Sequence, residues 1–556
     1  MRFRKLGLAL AGVMLASLGA GAVSAQDGGS VLRVARLADH FNTFHPVQFQ
    51  TGNQFQWWSN IFNTLVKVDT DSRTVVADLA DSWEISPDGL VYTFNLNPNV
   101  TWHDGTPFTA NDVDFTIDWF ANNSTVDETG ALAPVYKGFL PKWGQIAGVA
   151  DVAGTLNEDG SVTPGTGHVS GVEVVDDHTI RITLSAPDAI FLPGLSDMAN
   201  AIMPEHLLKD TTAGDVEATP FTMGTPGATI GTGPYKLAEY LPDQQVTLEA
   251  NADYFKGAPA IDRIVFKLFA DPALAIAQLE SGDLDLAFRV PPSEFDRLAA
   301  NESLNVISAR NPGVVRIVMN TDTAPWDKVE NRQAVAYAIN KQAIVDSFYK
   351  GRAEVLYNHP GFTTYDDINK YEHDPAKAAE LLAAGGYAGE PFKIVYDSSF
   401  PDAGSIMPLI QADLVAAGIN AELVPTEGAE AYVAMLGDRS KWDGTVGVGG
   451  SEALNPDRSK QYYSTTASPT SANSNYTNPR IFELWDAARA EADEAKRDEM
   501  YHELALILNT DLPMIHLYAP NLVMVSTKGL GGGFAVHLNE RESFMNSETW
   551  TLEPAG

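Results

Sequence analysis

The chain has 556 residues, of which 72 are acidic and 37 basic, so its formal net charge at pH 7 is −35. This acidic surplus argues against a nucleic-acid partner, because phosphates are bound by clusters of lysine and arginine. The absence of cysteine excludes disulfides, thiol nucleophiles and thiolate metal sites. With 44% hydrophobic and 20% charged residues, the composition is that of a globular protein, and the length allows roughly two to four domains.

The first 25 residues have the order of a secretory signal. Arg2, Arg4 and Lys5 form a positive region, and an apolar stretch over 6–18 leads to small residues ending at Ala25. The apolar stretch is short for a membrane span, so we expect export and cleavage after Ala25. An uncleaved N-terminal anchor is the alternative.

The first half of the mature chain is rich in strand patterns. Residues 31–37 roughly alternate apolar and polar side chains, which is typical of a strand with one buried face. Residues 81–97 and 171–185 each predict two strands joined by a tight turn, with Asp88-Gly89 and Asp176-Asp177 at the turns.

The second half alternates helix and strand patterns. Helical spacing over 329–350 predicts one helix, Asp374 starts a second, and a longer helical pattern runs from Asn478 towards Asn509. Strand-like runs at 392–396 and 445–448 separate these helices. Strands that alternate with helices predict lobes of the α/β class.

Several segments in chain order resemble the extracellular solute-binding proteins of family 5, the oligopeptide, dipeptide and nickel type. These segments are ADLADSWEISPDGLVYTF at 77–94, VTWHDGTPFTANDV at 100–113, GTGPYKL at 231–237, LESGDLD at 279–285 and NRQAVAYAIN at 331–340. Together with shorter matches they extend over nearly the whole mature chain. Each motif also has a local structural role as a turn or a helix, so the motifs identify the scaffold rather than the ligand.

The resemblance implies an α/β, two-lobed fold like that of periplasmic binding proteins, with an extra N-terminal subdomain and a ligand cleft between lobes joined by a hinge. The expected division is a signal peptide at 1–25, lobe I at 26–65, 181–288 and 509–556, the appended subdomain of lobe I at 66–180, and lobe II at 289–508. Closure of such lobes requires a ligand with a higher affinity for the closed state.

The function that the resemblance implies is solute capture for an ABC importer. We expect a periplasmic, monomeric binding protein that delivers a small molecule, foremost a peptide, to a permease with its ATPase subunits. No cofactor, metal or nucleic acid is expected, and no enzymatic activity. Presentation of the ligand to a sensory receptor is an alternative that the sequence does not separate from import.

Aromatic residues near the N-terminus are the first candidates for ligand contact. In relatives the first cleft-lining loop corresponds to 42–46, which contains Phe44, and the adjacent Trp57 and Trp58 follow it. Neighbouring residues of a helix diverge by about 100°, so we expect one indole inside the core and the other in a position to line the cleft.

The segment after the predicted strand 445–448 supplies the other candidates. Gly450 and Ser451 are small enough for close approach to a ligand. Peptide binders of this family often hold the ligand ammonium with an aspartate after a Gly-Trp pair, but here that aspartate falls at about Ala453. Either Glu452 supplies the counter-charge or the ligand has no free amine there.

Three alternatives remain open at the level of sequence. An oligosaccharide could stack on Trp57 or Trp58 and hydrogen-bond to Asn455. A secreted hydrolase could use Ser451, but a catalytic histidine among the downstream residues is not identifiable from any motif. His103 could be a metal ligand, although the second histidine that metal motifs place three or four residues away is missing.

Overall fold

The computed structural model describes a protein organised around three main β-sheets. The described residues are 29–37, 43–46, 55–69, 74–126, 132–134, 142–157, 162–212, 218–269, 271–309, 313–359, 362, 365–398, 402–449, 460–463, 474–534 and 544–553. The predicted signal segment 1–25 therefore lies outside the described residues.

The strands and helices are numbered in chain order. The strands are β1 Val31–Leu37, β2 Val66–Val68, β3 Val75–Ala77, β4 Ala80–Ile85, β5 Val91–Leu96, β6 Ser124–Val126, β7 Leu132–Pro134, β8 Thr155–Leu156, β9 Val162–Thr163, β10 Val172–Asp176, β11 Thr179–Thr183, β12 Tyr235–Leu241, β13 Gln245–Ala250, β14 Arg263–Phe269, β15 Leu286–Phe288, β16 Leu304–Ala309, β17 Val314–Met319, β18 Ala353–Val355, β19 Phe392–Asp397, β20 Ala421–Thr426, β21 Gly444–Gly449, β22 Met514–Pro520, β23 Leu522–Thr527, β24 Leu530–Gly532 and β25 Trp550–Leu552. The helices are α1 Phe55–Ile61, α2 Ala110–Asn122, α3 Phe191–Gly194, α4 Glu205–Leu208, α5 Pro272–Ser281, α6 Phe295–Ala299, α7 Val329–Ala338, α8 Lys341–Ser347, α9 Pro375–Ala384, α10 Ala403–Ala416, α11 Ala429–Leu436, α12 Lys460–Tyr463, α13 Pro479–Ala490 and α14 Glu494–Asp511.

Lobe I is built on a seven-stranded sheet in the order β12-β13-β14-β1-β15-β23-β16. The predicted strand 31–37 is confirmed as β1, which lies parallel to both β14 and β15. Apolar and polar residues alternate along β1 because one face is buried, as predicted. Leu32 and Val34 are fully buried in the lobe I core, whereas Arg33 is partly exposed.

The appended subdomain contains a four-stranded antiparallel sheet in the order β10-β11-β5-β4. Both predicted two-strand units are confirmed, as β4 with β5 and β10 with β11. Gly89 adopts a φ of 70° in the first turn, a conformation that a residue without a side chain adopts readily. Helix α2 covers this sheet and begins with a capping box between Thr109 and Asp112.

Lobe II is built on a six-stranded sheet in the order β18-β22-β17-β21-β19-β20. Because β17 is buried on both faces, Ile317 packs with helices α7 to α10 while Val318 packs with α13 and α14. The predicted strands at 392–396 and 445–448 are confirmed as β19 and β21, and Asp374 caps α9 as expected.

Two predicted helices are each divided in the structure. The pattern over 329–350 gives α7 and α8, because Ile339 is extended and the Asn340 side chain accepts a hydrogen bond from the Ala343 amide to start α8. The pattern from Asn478 gives α13 and α14, because the Asp493 side chain caps the second helix. The apolar spacing continues through both breaks, and for this reason the sequence pattern did not reveal them.

The chain crosses between the two large sheets twice. It leaves the lobe I sheet at the end of β16 and enters the lobe II sheet at β17, and it returns between β22 and β23. The first crossing therefore lies between Ala309 and Val314 and the second near Asn521, later than the expected boundaries at residues 289 and 509. The physical reason is strand pairing, since β16 pairs along its length with β23 in lobe I, whereas β22 pairs with β17 in lobe II.

Among the described residues, no helix is both long enough and apolar enough to cross a membrane.

Candidate functional site

The carboxyl ends of the parallel strands in both lobes lie beside the two crossings. In lobe I, β1 and β15 end at the edge where Ala309 pairs with Leu522. In lobe II, β21 ends where Gly449 pairs with Val314, and β19 runs parallel to β21. Ligands of α/β sheets bind outside the carboxyl ends of the strands. The cleft between these two edges is therefore the candidate site.

The lobe I edge carries two arginines beside an aromatic ring. Arg36 is 2% exposed near the end of β1, and its guanidinium carbon lies 5.7 Å from the centre of the Phe288 ring. Arg289 follows β15 and has a φ of 54°, in the left-handed region. A small cavity at this edge is lined by all three residues and by Pro272 and Ile276 of α5.

The lobe II edge carries a cluster of polar side chains on one face of its sheet. Asp397, the last residue of β19, is 2% exposed, and Arg316 on β17 is 4% exposed. The Tyr432 hydroxyl of α11 lies 2.5 Å from the Thr445 hydroxyl and donates to the Val446 carbonyl at 3.2 Å. Burial raises the pKa of Tyr432, and the charge of Asp397 also raises it, whereas Thr445 and Arg316 lower it. Tyr432 is therefore neutral, and its hydroxyl is engaged with β21.

Sequence analysis missed Asp397 and Arg316. The available signal was a single charge within or directly after an apolar strand, as in Val314-Val-Arg-Ile-Val-Met319 and Phe392-Lys-Ile-Val-Tyr-Asp397. Gly447 lies opposite Arg316 in the sheet, and a Cβ atom there would meet nothing within 4 Å. This space beside the arginine could not be inferred without the register of the strands.

The three aromatic candidates are buried in lobe I. Phe44 is fully buried against Tyr240, with ring centres 5.1 Å apart. Trp57 is 2% exposed and packs its edge against Phe266, while Trp58 is fully buried next to Phe62. Helix α1 is buried on all sides, so neighbouring indoles that diverge by about 100° both pack inside. Ligand contact by these three residues stays a prediction.

The other four candidates lie outside the described residues. Gly450, Ser451, Glu452 and Asn455 follow β21, which ends at Gly449 on the cleft edge of lobe II. Ligand contact by these four residues stays a prediction.

His103, considered above as a metal ligand, has structural partners. Gly231 donates its amide proton to His103 Nδ1 at 3.1 Å, and His103 Nε2 donates to the Gly233 carbonyl at 3.0 Å. Burial lowers the pKa of His103 to about 4, so the ring is neutral. Its two hydrogen bonds stabilise the turn at 231–233. His45 packs between Trp119 and Phe221, and burial lowers its pKa to about 3.

One cluster of metal-ligand types, unforeseen in the sequence, lies on the appended subdomain. His168 Nδ1 is 3.2 Å from Asp118 and 3.4 Å from Asp114, and Nε2 donates to the Val172 carbonyl at 3.1 Å. Both ring nitrogens thus face acceptors, which favours the imidazolium. Burial lowers the pKa of His168, but the two carboxylates outweigh it and the pKa is raised. The cluster is explained as a hydrogen-bonded ion triad.

The three histidines downstream of Ser451 are His502, His516 and His537, and they are engaged elsewhere or lie outside the described residues. His502 Nε2 is 2.8 Å from Asp367 Oδ1, and its ring stacks on Tyr365. His516 is buried on β22, with its ring 5.7 Å from that of His359. His537, like Ser451, falls outside the described residues. Among the described residues these contacts give no support to a catalytic serine.

Three comparisons relate the chain to known proteins. A Brucella ovis protein named as an ABC transporter peptide-binding protein is 30% identical over 529 residues, covering 92% of this chain and 88% of the relative. The di/tripeptide-binding protein 1 of Pseudomonas aeruginosa is 28% identical over 510 residues, covering 85% and 86%. The crystal structure of the substrate-binding protein CtaP from Listeria monocytogenes superposes with a TM-score of 0.78 at 24% identity, covering 94% of this chain and 99% of that one.

The fold of this chain is that of the two-lobed solute-binding proteins, with which it superposes over nearly its whole length. Residues 74–473 match the family described as bacterial extracellular solute-binding proteins, family 5 Middle. This match confirms the resemblance in the sequence motifs and makes the protein a binding protein rather than an enzyme. The chain belongs to the extracellular solute-binding proteins of family 5.

Proposed function

We propose that this binding protein captures peptides and delivers them to an ABC permease. The observation that carries the proposal is the similarity to relatives named for peptide binding, one of which aligns over 92% of this chain. The cleft supports it, because polar groups on both lobe edges can contact one ligand from opposite sides. Calorimetry with mixed dipeptides to pentapeptides against β-linked oligosaccharides tests it, and tight binding of an oligosaccharide alone would contradict it.

The proposed site of action is the periplasm, after cleavage behind Ala25. The protein would act there as a monomer, with a permease and its ATPase subunits. Support comes from the order of charged, apolar and small residues in the first 25 positions. The intact mass of the exported protein tests this step: a mass that starts at Gln26 is expected, and one that starts at Met1 would indicate an anchor.

Glu452 is the proposed counter-charge for the α-ammonium group of the peptide. A buried ammonium without a counter-charge is costly, and the residue at the usual aspartate position is Ala453. Support comes from β21, which ends at Gly449 on the cleft edge of lobe II, three residues before Glu452 in the sequence. The variant Glu452→Gln should weaken peptide binding at least tenfold, whereas Asp457→Asn, which neutralises an acid further along the same segment, should not. Equal affinities of wild type and Glu452→Gln would refute this assignment without refuting peptide binding.

The oligosaccharide alternative has lost its main support. It required an indole as a stacking platform, and Trp57 and Trp58 are at most 2% exposed. We therefore retain peptide as the proposed ligand class.

A further inference from the structure

Asp188 joins the two lobes through residues that are distant in sequence from both crossings. It lies between β11 of the appended subdomain and α3, and its Oδ2 atom is 2.7 Å from Nη2 of Arg489 near the end of α13 in lobe II. A second bond reinforces the contact, because the Ala189 amide donates to the Arg489 carbonyl at 3.0 Å. The side chain and the main chain of Arg489 are thus both bound by the opposite lobe.

The Asp188 carboxylate is oriented by its own lobe. Its Oδ1 atom accepts a hydrogen bond from the Ile190 amide at 3.0 Å, and the side chain is only 2% exposed. Lys142, in the appended subdomain of lobe I, places its Nζ atom 4.0 Å from Asp188 Oδ2. The carboxylate therefore keeps a nearby cation when Arg489 moves away, so that separation of the lobes does not leave a buried charge without a partner.

A hinge motion affects contacts near and far from the crossings differently. Arg352 of lobe II lies 3.6 Å from Asp296 and 5.1 Å from the Phe295 ring, and its carbonyl accepts from the Asn521 amide at the second crossing. Such contacts beside the hinge can persist during rotation, whereas the contact of Asp188 with Arg489 must break as the lobes part. A contact that breaks as the lobes part exists only in the closed arrangement.

We propose that Asp188 and Arg489 form a latch that stabilises the closed conformation of the two lobes. The latch shifts the equilibrium between open and closed protein because it exists in only one of the two states. It contributes to closure whichever solute occupies the cleft, and so it goes beyond the proposed peptide ligand.

The absence of cysteine allows a direct measurement. Glu84 is exposed on the appended subdomain, and Ala379 is exposed on α9 of lobe II. A protein that carries both Glu84→Cys and Ala379→Cys can be labelled with a pair of fluorescent dyes, because the chain has no other thiol. Single-molecule energy transfer in the ligand-free protein then gives the ratio of closed to open molecules. Because no solute is added, failure of this test is separate from failure of the peptide assignment.

We expect Asp188→Asn and Arg489→Gln each to lower the closed-to-open ratio about tenfold, which corresponds to about 1.4 kcal/mol. The double variant should show no larger effect than the stronger single variant. The matched control is Arg480→Gln, on the same helix, which removes an ion pair to Glu503 within lobe II and should leave the ratio unchanged.

Two further measurements distinguish an effect on lobe closure from an effect on the stability of the fold. The conservative variant Arg489→Lys, which keeps the positive charge, should keep more of the closed population than Arg489→Gln, and the unfolding free energy of Arg489→Gln should stay close to that of wild type. A wild type without any closed population, or variants with unchanged ratios, would overturn the proposal. An equal loss in Arg480→Gln would overturn it as well, since the effect would then belong to the stability of α13.

Discussion

The two lobes each bury a lysine among the described residues, and the two lysines have opposite surroundings. Lys67 in lobe I is 8% exposed and lies 3.6 Å from the fully buried carboxylate of Asp78. Lys341 in lobe II is 6% exposed, donates to the Leu356 carbonyl at 3.2 Å and pairs with no described carboxylate. Burial tends to lower the pKa of both lysines, but at Lys67 the nearby Asp78, Tyr254 and Glu548 together outweigh it and the pKa is raised. At Lys341 no described carboxylate opposes burial, and the pKa falls to about 7.

This difference teaches where charge supports the fold and where it weakens it. Around Asp78, Lys256 lies at 2.7 Å and the side-chain amide of Asn63 donates at 2.9 Å, so the network joins distant parts of lobe I. A satisfied buried network stabilises one arrangement, whereas an isolated buried cation costs free energy at every pH at which it is charged. The following predictions test this contrast, from the largest expected effect to the smallest.

The Asp78→Asn variant should lose about 3–5 kcal/mol of unfolding free energy, because it leaves two lysines without their shared counter-charge. Denaturant unfolding at pH 7 measures this loss. The control is Asp81→Asn on the exposed face of β4, which should change the free energy by less than about 0.5 kcal/mol. Equal effects of the two variants would contradict the assigned role of the network.

The Lys341→Met variant should gain roughly 1–4 kcal/mol of unfolding free energy at pH 6, because the native protein no longer buries an ammonium group. In wild type the unfolded lysine keeps its proton up to about pH 10, whereas the folded one loses it near pH 7. Wild-type stability therefore rises with pH over this range, and the advantage of the variant shrinks.

Unfolding curves at pH 6 and pH 9.5 test the Lys341 prediction. Lys377, whose side chain is 39% exposed, provides the control, since Lys377→Met should show no comparable pH-dependent gain. A Lys341→Met protein that is less stable than wild type at both pH values would show that the hydrogen bond to Leu356 matters more than the buried charge.

The Asp114→Asn variant should remove a pH dependence of about 1 kcal/mol. Burial and the charge of Asp118 raise the pKa of Asp114 to about 6. A raised folded pKa means that the stabilisation is present below the unfolded value of about 4 and is lost as the pH rises past 6. The variant should therefore be more stable than wild type at pH 7.5 but not at pH 4, as judged by thermal unfolding at both pH values. The same gain at both would contradict the assignment.

The Arg489→Gln variant should change the unfolding free energy by less than about 1 kcal/mol, because the side chain is 33% exposed and its lobe folds around other contacts. Its effect should appear in lobe closure instead. A loss as large as that of Asp78→Asn would show that the contact of Arg489 with Asp188 supports the fold rather than the closed state.

Much of the fold could be predicted because its signals are local. The hairpins around Gly89 and Asp177 have turn residues between alternating runs, and Asp374 precedes the helix that it caps. The crossings lie later in the chain than predicted because strand pairing is not local. Strand β16 pairs with a strand more than 200 residues further along the chain. No periodicity within 289–309 indicates to which sheet those residues belong.

The candidate site was less accessible to sequence reasoning. The strand that leads to Glu452 was found, but burial of both indoles depends on what surrounds α1, including β12 and β14. Arg316 and Asp397 come together only through the order β17-β21-β19 in the lobe II sheet. Charges placed on neighbouring strands by sheet order carry no signal in the linear sequence.

The most direct test of the central claim is the identity of the solute that the protein carries. Native mass spectrometry of protein purified from its own host measures the mass bound in the cleft, and denaturation releases the solute for sequencing. The account predicts a peptide of a few residues, recovered chemically unchanged after incubation with the protein. Recovery of an oligosaccharide, or of products cleaved during that incubation, would contradict it.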